Sequence, residues 1–213
     1  NHIGTDITGL ILEADNEETL GNGAHGVFME NGAQYNVIGP TAEDEVDPYI
    51  TAQAQRNIIS NNAGWGVYVR GMGAYHYEGG PAPRFNDPFA YPEFADPEEF
   101  LKQPYGTNAN QIVGNFIGVD ATGGSAAGNG LGGVKIHNAA AYTIVGSLAA
   151  RLEQQWAGNV ISANNGPGVE IADRGTAVNA VGGNLIGLST NGQTGLGNDG
   201  PGVWIHDQPV ASN

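Results

Sequence analysis

The chain has 213 residues, enough for one domain or two with a substantial core. It contains 35 glycines but no cysteine, which excludes disulfides and thiolate metal ligands. Its formal net charge of −15 repels phosphate backbones and anionic lipids, so we expect neither nucleic acid as a partner nor insertion into a membrane.

The chain opens with a motif that returns twice. Residues 3–6 (IGTD) recur as residues 117–120 (IGVD) and 186–189 (IGLS), and the last two copies are offset by 69 residues. In each copy the motif is followed by a Gly-Val pair, ending at Val27, Val134 and Val203. Constant spacing of several landmarks indicates a repeat architecture rather than glycine-rich disorder.

The first copy is longer than the others. It carries three insertions, at about residues 10–20, 40–56 and 71–107, and the remaining intervals match the second copy. The repeated body consists of short apolar clusters that alternate apolar and other residues, as half-buried strands do. Glycine, asparagine and proline separate these clusters, and the turns are too short for βαβ crossovers.

These features predict an all-β solenoid of stacked coils. Sixty-nine residues divide into three coils of 23, which gives about seven coils outside the insertions. Val27, Val134 and Val203 should share one interior column, and Ile3, Ile117 and Ile186 another. Asparagines at the turns should hydrogen-bond from coil to coil. The glycines before the column valines, Gly26, Gly133 and Gly202, should allow a bend or a close approach.

The motifs Asn-x-Ile-Gly-x-Asp and Asn-x-Ile-Ser-x-Asn, each followed by Gly-Val, resemble the parallel β-helix repeats of large bacterial secreted and cell-surface proteins. The resemblance covers everything except the insertions and implies a right-handed parallel β-helix. It implies little about function, because similar coils occur in polysaccharide lyases and hydrolases, epimerases, adhesins and phage tail proteins.

We interpret residues 1–213 as a single β-helix domain, a piece of a longer solenoid, with an insertion lobe at 71–107. No amphipathic helix marks a cap over either end coil, and solenoids normally need such caps. The expected partners are therefore neighbouring coils of the same protein, or further copies associated end to end or laterally.

The insertions hold 14 of the 22 acidic residues. Such acid density suits calcium, which takes six to eight oxygen ligands, although clustered surface acids are also commonly solvated. The candidate metal ligands are Glu13, Asp15, Glu17, Glu18, Glu43, Asp44, Glu45 and Asp47. Asp6 and Asp120 share a repeat position that Ser189 occupies in the third copy, which favours a turn role there.

The third insertion is rich in aromatic residues, which indicates an ordered lobe. Its rings could stack on sugars or bind a protein, with acids hydrogen-bonding to hydroxyls, or they could form the lobe's own core. The candidate ligand-binding residues are Tyr75, His76, Tyr77, Glu78, Asp87 and Tyr91.

The sequence therefore predicts a non-catalytic structural or adhesive module, extracellular or at the cell surface, that makes lateral contacts through its insertions. Polysaccharide or a surface protein is the expected external partner, calcium the candidate cofactor, and no catalytic residue is assigned. The alternative is a carbohydrate-active enzyme, a lyase or hydrolase, or its substrate-binding part.

Overall fold

The computed structural model describes residues 1–10, 20–40, 56–71, 107–147, 158–173 and 175–207. In these ranges it contains 14 short strands and no helix. The strands are β1 His2–Ile3, β2 Val27–Met29, β3 Val37–Ile38, β4 Ile58–Ile59, β5 Trp65–Arg70, β6 Gln111–Ile112, β7 Phe116–Ile117, β8 Gly132–His137, β9 Ile144–Gly146, β10 Val160–Ile161, β11 Val169–Ile171, β12 Ala180–Gly182, β13 Leu185–Ile186 and β14 Val203–Ile205.

The strands form three parallel sheets that the chain visits in turn. The first sheet has the order β1-β4-β7-β10-β13, the second β2-β5-β8-β11-β14 and the third β3-β6-β9-β12. All the strand pairs within these sheets are parallel. Each coil thus contributes one strand to each sheet, which confirms the predicted all-β parallel β-helix.

The number of coils differs from the expectation. The described strands form five levels, β1–β3, β4–β6, β7–β9, β10–β12 and β13–β14, rather than about seven. Val134 pairs with Val169, which pairs with Val203, so the 69-residue repeat spans two coils and not three. The two halves of the repeat end in the same Gly-Val strand and occupy equivalent places in successive coils. The five levels span about 19 Å at the ladder spacing.

The predicted interior columns are confirmed. Val27, Val134 and Val203 lie in one column, interleaved with Val67 and Val169. The isoleucine column contains Ile3, Ile59, Ile117, Ile161 and Ile186 in successive coils. The column residues of the inner coils are fully buried, which removes a continuous apolar stripe from water.

A second apolar cluster lies on the outer side of the first sheet. Ile58, Phe116 and Val160 point outward from this sheet, and Val119 and Leu196 pack against them. The turn after β7 folds back through a bridge between Val119 and Ala126. Outward residues of this sheet are therefore buried by the chain's own turns.

Asparagine ladders hold two of the corners. One ladder joins Asn22, Asn62, Asn129, Asn164 and Asn198 through amide contacts of 2.7–3.0 Å. A second ladder joins Asn1, Asn57, Asn115, Asn159 and Asn184 at 2.8–3.0 Å. In the inner coils each side-chain oxygen accepts from both the backbone N–H and the amide of the preceding coil. These contacts confirm the predicted coil-to-coil bonds.

The glycine before a column valine serves close approach. A methyl group at Gly26 would lie 2.7 Å from both Gly66 O and Ile59 Cγ2. The backbone of Gly26 is not in the left-handed region, so the space and not the bend requires glycine there. Left-handed turn positions instead include Asn31, Asn61 and Asn138.

Removal of one inner ladder amide should destabilise the whole stack. Asn129→Ala deletes a buried side chain that donates to Ile59 O and Asn164 Oδ1 and accepts twice from Asn62. Because the buried partners lose their bonds, we expect a loss of about 3 kcal/mol or more, seen as a lower urea midpoint by circular dichroism. Asn22→Ala, at the exposed start of the same ladder, should cost less than about 1 kcal/mol. Equal losses in the two variants would contradict this account.

The third corner offers a gain of stability. Its column runs through Asn36, Asn110, Thr143 and Asn179, so a threonine interrupts the asparagines. Thr143 is fully buried, and its hydroxyl oxygen has no hydrogen-bond partner. Thr143→Asn should complete the ladder and raise the unfolding free energy by about 1 kcal/mol.

Thr143→Val is the matched control for this substitution. It removes the unpaired hydroxyl without adding an amide, so its gain should be smaller than that of Thr143→Asn in the same urea titration. A lower midpoint for Thr143→Asn than for the unchanged protein would show that the corner has no room for the amide.

Candidate functional surface on the second sheet

The site residues predicted from the sequence lie outside the described residues. This holds for the six candidate ligand-binding residues Tyr75, His76, Tyr77, Glu78, Asp87 and Tyr91, and for the eight candidate metal ligands Glu13, Asp15, Glu17, Glu18, Glu43, Asp44, Glu45 and Asp47. Their roles stay predictions. What the structure describes is where each insertion leaves the coil.

The three insertions leave the solenoid at three different corners. The first lies between β1 and β2, the second between β3 and β4, and the third between β5 and β6. At the third, the hydroxyl of Thr107 donates to Arg70 O at 2.8 Å, and the N–H of Gly71 donates to His137 O at 2.9 Å. The two ends of the third insertion are therefore fixed beside each other on the coil body.

The outer face of the second sheet carries a column of large side chains. In register from the first coil to the fifth, this outer column contains Phe28, Tyr68, Lys135, Glu170 and Trp204. These residues alternate with the buried valines and isoleucines, so the strand pleat directs them away from the interior. Parallel register holds them about 4.8 Å apart, in a fixed order.

Glu170 is the most enclosed member of the outer column. Its side chain is only 6% exposed, and Oε1 accepts from Lys135 Nζ at 2.6 Å and lies 3.2 Å from His206 Nε2. His206 also contacts Asp207 through Nδ1 at 2.7 Å. This chain of charges links coils three, four and five. An enclosed ion pair of this kind suits cross-coil attachment, because each charge satisfies the other.

The aromatic rings on this face pack against one another. His25 stacks on Tyr68 with centroids 4.1 Å apart and planes 4° apart, and Phe28 meets Tyr68 edge-on at 5.2 Å. At the other end Trp204 stacks on His206 at 3.9 Å. Each stacked pair directs one face of each ring to its partner. The rings thus do not lie as open platforms with both faces available.

The histidines of this face titrate in opposite directions. Burial lowers the pKa of His25, and the charge of His137 lowers it further. Accordingly, His25 Nδ1 accepts from the N–H of Trp65 at 3.0 Å. Burial also lowers the pKa of His137, which outweighs its hydrogen bond to Asp173. For His206 burial acts in the same direction, but hydrogen bonds to Glu170 and Asp207 overcome it, so its pKa is raised.

The repeated acid position has the turn role that the sequence favoured. Asp120 Oδ1 accepts from the backbone N–H groups of Thr122, Gly124 and Ser125 and from the Thr122 hydroxyl. Asp6 makes the equivalent pair of bonds to Thr8. The oxygens of this turn are thereby committed to its own backbone.

A cavity of about 260 Å³ lies outside the first sheet. It is lined by Arg56, Gly158, Asn159, Val160, Gly183, Leu185, Thr190, Asn191 and Gly192. Arg56 is 5% exposed, and its guanidinium lies 4.7 Å from the centre of the Phe116 ring. Burial lowers the pKa of Arg56. The guanidinium closes one edge of the apolar cluster around Phe116.

Within the described ranges, histidine, aspartate and glutamate do not form a group of three placed to bind a metal ion. The described residues also contain no helix long and apolar enough to cross a membrane. No family model matches the chain, and neither a curated protein nor a solved structure matches it.

The outer column was missed by the sequence reasoning, although the signal was present. Each copy places one variable residue directly after its Gly-Val pair, and these residues are the five members of the outer column. The alternation of strands assigns that position to the outside. Recognition required only that all five Gly-Val pairs be aligned as one column.

His206 provides a test of the charge network. Because its folded-state pKa is raised, its contribution to stability is complete below the unfolded value near 6.5 and is lost as pH rises through the folded value. His206→Gln should therefore lower the urea midpoint more at roughly pH 5 than at roughly pH 8. Glu170→Gln should lower the pKa of His206, measured by NMR titration.

His137→Gln is the control with opposite sign. Its folded-state pKa is lowered, so its stabilising contribution is present above the unfolded value and is lost as pH falls through the folded one. A pKa of His206 that does not change in Glu170→Gln would disprove the coupling between these two side chains.

Proposed function

We propose that the chain is a non-catalytic structural or adhesive β-helix module that acts outside the cell or at its surface. In this proposal the coils set distance, and the acidic and aromatic insertions make the lateral contacts. The observation that carries it is the continuity of the interior columns and asparagine ladders through five coils. Such a stack is a stiff support from which loops can project.

The anchoring of the third insertion supports this role. Its ends are fixed by the bond from Thr107 to Arg70 and by the bond from Gly71 to His137, and Thr107 is fully buried. A loop held at both ends by a rigid body loses less entropy on binding than a free segment does. The insertion is therefore well placed to present the aromatic residues from Tyr75 to Tyr91.

The charge on the outer column favours attachment over catalysis. Glu170 is held by Lys135 on one side and His206 on the other, so its carboxylate stabilises neighbouring coils. A general acid or base needs a carboxyl group that can exchange a proton with the substrate. The committed contacts of Glu170 support the non-catalytic role.

The test is retention on extracellular polymers. A panel of plant and bacterial polysaccharides is incubated with the unchanged protein and with a variant in which residues 72–106 are replaced by Gly-Ser-Gly, each with calcium and with a chelator. We expect the variant to lose at least about tenfold in affinity for the retained polymer. The calcium arm tests the acidic insertions as metal ligands, because ligands of a bound ion gain affinity from it.

The same replacement at residues 148–157 is the matched control, since that loop belongs to the repeated body and not to the three insertions. Retention should survive there. New reducing ends or unsaturated products would support the carbohydrate-active alternative instead, provided that Glu78→Gln or Asp87→Asn abolishes them.

A further inference from the structure

The asparagine ladders have a direction. In all the cross-coil amide contacts of both ladders, the earlier coil donates and the later coil accepts. Among the described residues, Asn1 and Asn22 therefore only donate within the ladders. At the other end Asn184 and Asn198 accept from the coil before them. The first level thus presents amide oxygens, and the fifth presents amide and backbone N–H donors.

The strand edges at the two ends complement each other in the same way. In the fifth level Val203, Trp204 and Ile205 are 42%, 42% and 62% exposed, whereas Val134 and Ile136 in the middle of the stack are fully buried. At the first level Phe28 is 47% exposed. Strands β14 and β2 are the two edges of the second sheet, and β13 and β1 are those of the first.

We propose that a second copy of this chain stacks on the fifth level by its first level, which extends both sheets and both ladders. In this register β14 pairs with β2 of the next copy and β13 with its β1. Val203 then lies over Val27, Trp204 over Phe28, and Asn198 donates to Asn22. The contact joins two different ends, so repetition gives an open filament and not a closed dimer.

The inner coils supply the pattern for this contact. The N–H of Gly168 donates to Pro201 O and that of Val169 to Gly202 O, each at 2.9–3.0 Å. The equivalent groups of the fifth level, at Gly202 and Val203, face the next level in the same orientation. Exposed parallel edges with free donors are templates for a further strand. A first level with the same spacing satisfies them without a change of register.

Net charge opposes this association. Copies that each carry −15 repel one another, and the repulsion acts over about 10 Å at 0.1 M salt but only about 3 Å at 1 M. Association should therefore strengthen as salt rises. A contact held together mainly by ion pairs would weaken instead.

Engineered cysteines test the register, because the chain contains no cysteine of its own. Within one copy Phe28 and Trp204 lie four levels apart, about 19 Å, which is beyond the reach of a disulfide. Between stacked copies they are direct neighbours. Oxidation of Phe28→Cys/Trp204→Cys should therefore give a ladder of linked multimers on a non-reducing gel. Phe28→Cys/Leu131→Cys is the matched control, since Leu131 is 52% exposed on an inner coil.

Sedimentation velocity tests the association itself. Ile205→Lys places a charge at the exposed edge and should weaken association at least about tenfold, whereas Leu131→Lys should leave it unchanged. Multimers that form in the Phe28→Cys/Trp204→Cys variant and not in its control support the stacking. A protein that stays monomeric at roughly 100 µM in 1 M salt, or equal cross-linking in the two cysteine pairs, would overturn it.

Discussion

The structure depends on one hydrogen-bonded unit, the corner asparagine. Wherever the chain turns between sheets, a backbone N–H faces the next coil with no strand partner to accept it. The asparagine oxygen of that coil accepts this N–H together with the side-chain amide, as Asn129 Oδ1 does for Asn62. The Asn129 amide in turn donates to Ile59 O in the preceding coil. One side chain thus satisfies groups on three levels, which explains why buried asparagines are tolerated beside an apolar core.

Much of this could be predicted from sequence, because stacked coils impose the same residue type at equivalent positions. The spacing of Ile117 and Ile186 predicts a shared column, and repeated asparagine predicts a ladder. The number of coils was wrong for the same physical reason. A column selects for size and polarity alone, so the Ile-Gly and Ile-Ser halves of the repeat fill one position alternately. A period of 69 residues therefore marks a pair of coils, not three of them.

The insertions could not be predicted to the same depth. A residue of the repeated body is constrained by the residue above and the residue below, whereas Tyr75 or Glu43 has no counterpart in the other copies. Composition alone then supports both a binding role and a simple core or solvated role. The outer column is the opposite case, since Glu170 occupies a repeated position and its ion pair to Lys135 follows from register. Reading all the Gly-Val pairs as one column would have found it.

Coil length matters little to this architecture. Successive members of the isoleucine column are separated by 56, 58, 44 and 25 residues, yet their pairing is unbroken. Contacts run from level to level, so extra residues at a corner add loop-closure entropy that grows only slowly with length. The corner asparagines lie beside the strands and keep the register whatever precedes them. Elaboration can therefore accumulate at any corner of any coil without disturbing the core, and a directional ladder fixes which neighbour each coil accepts.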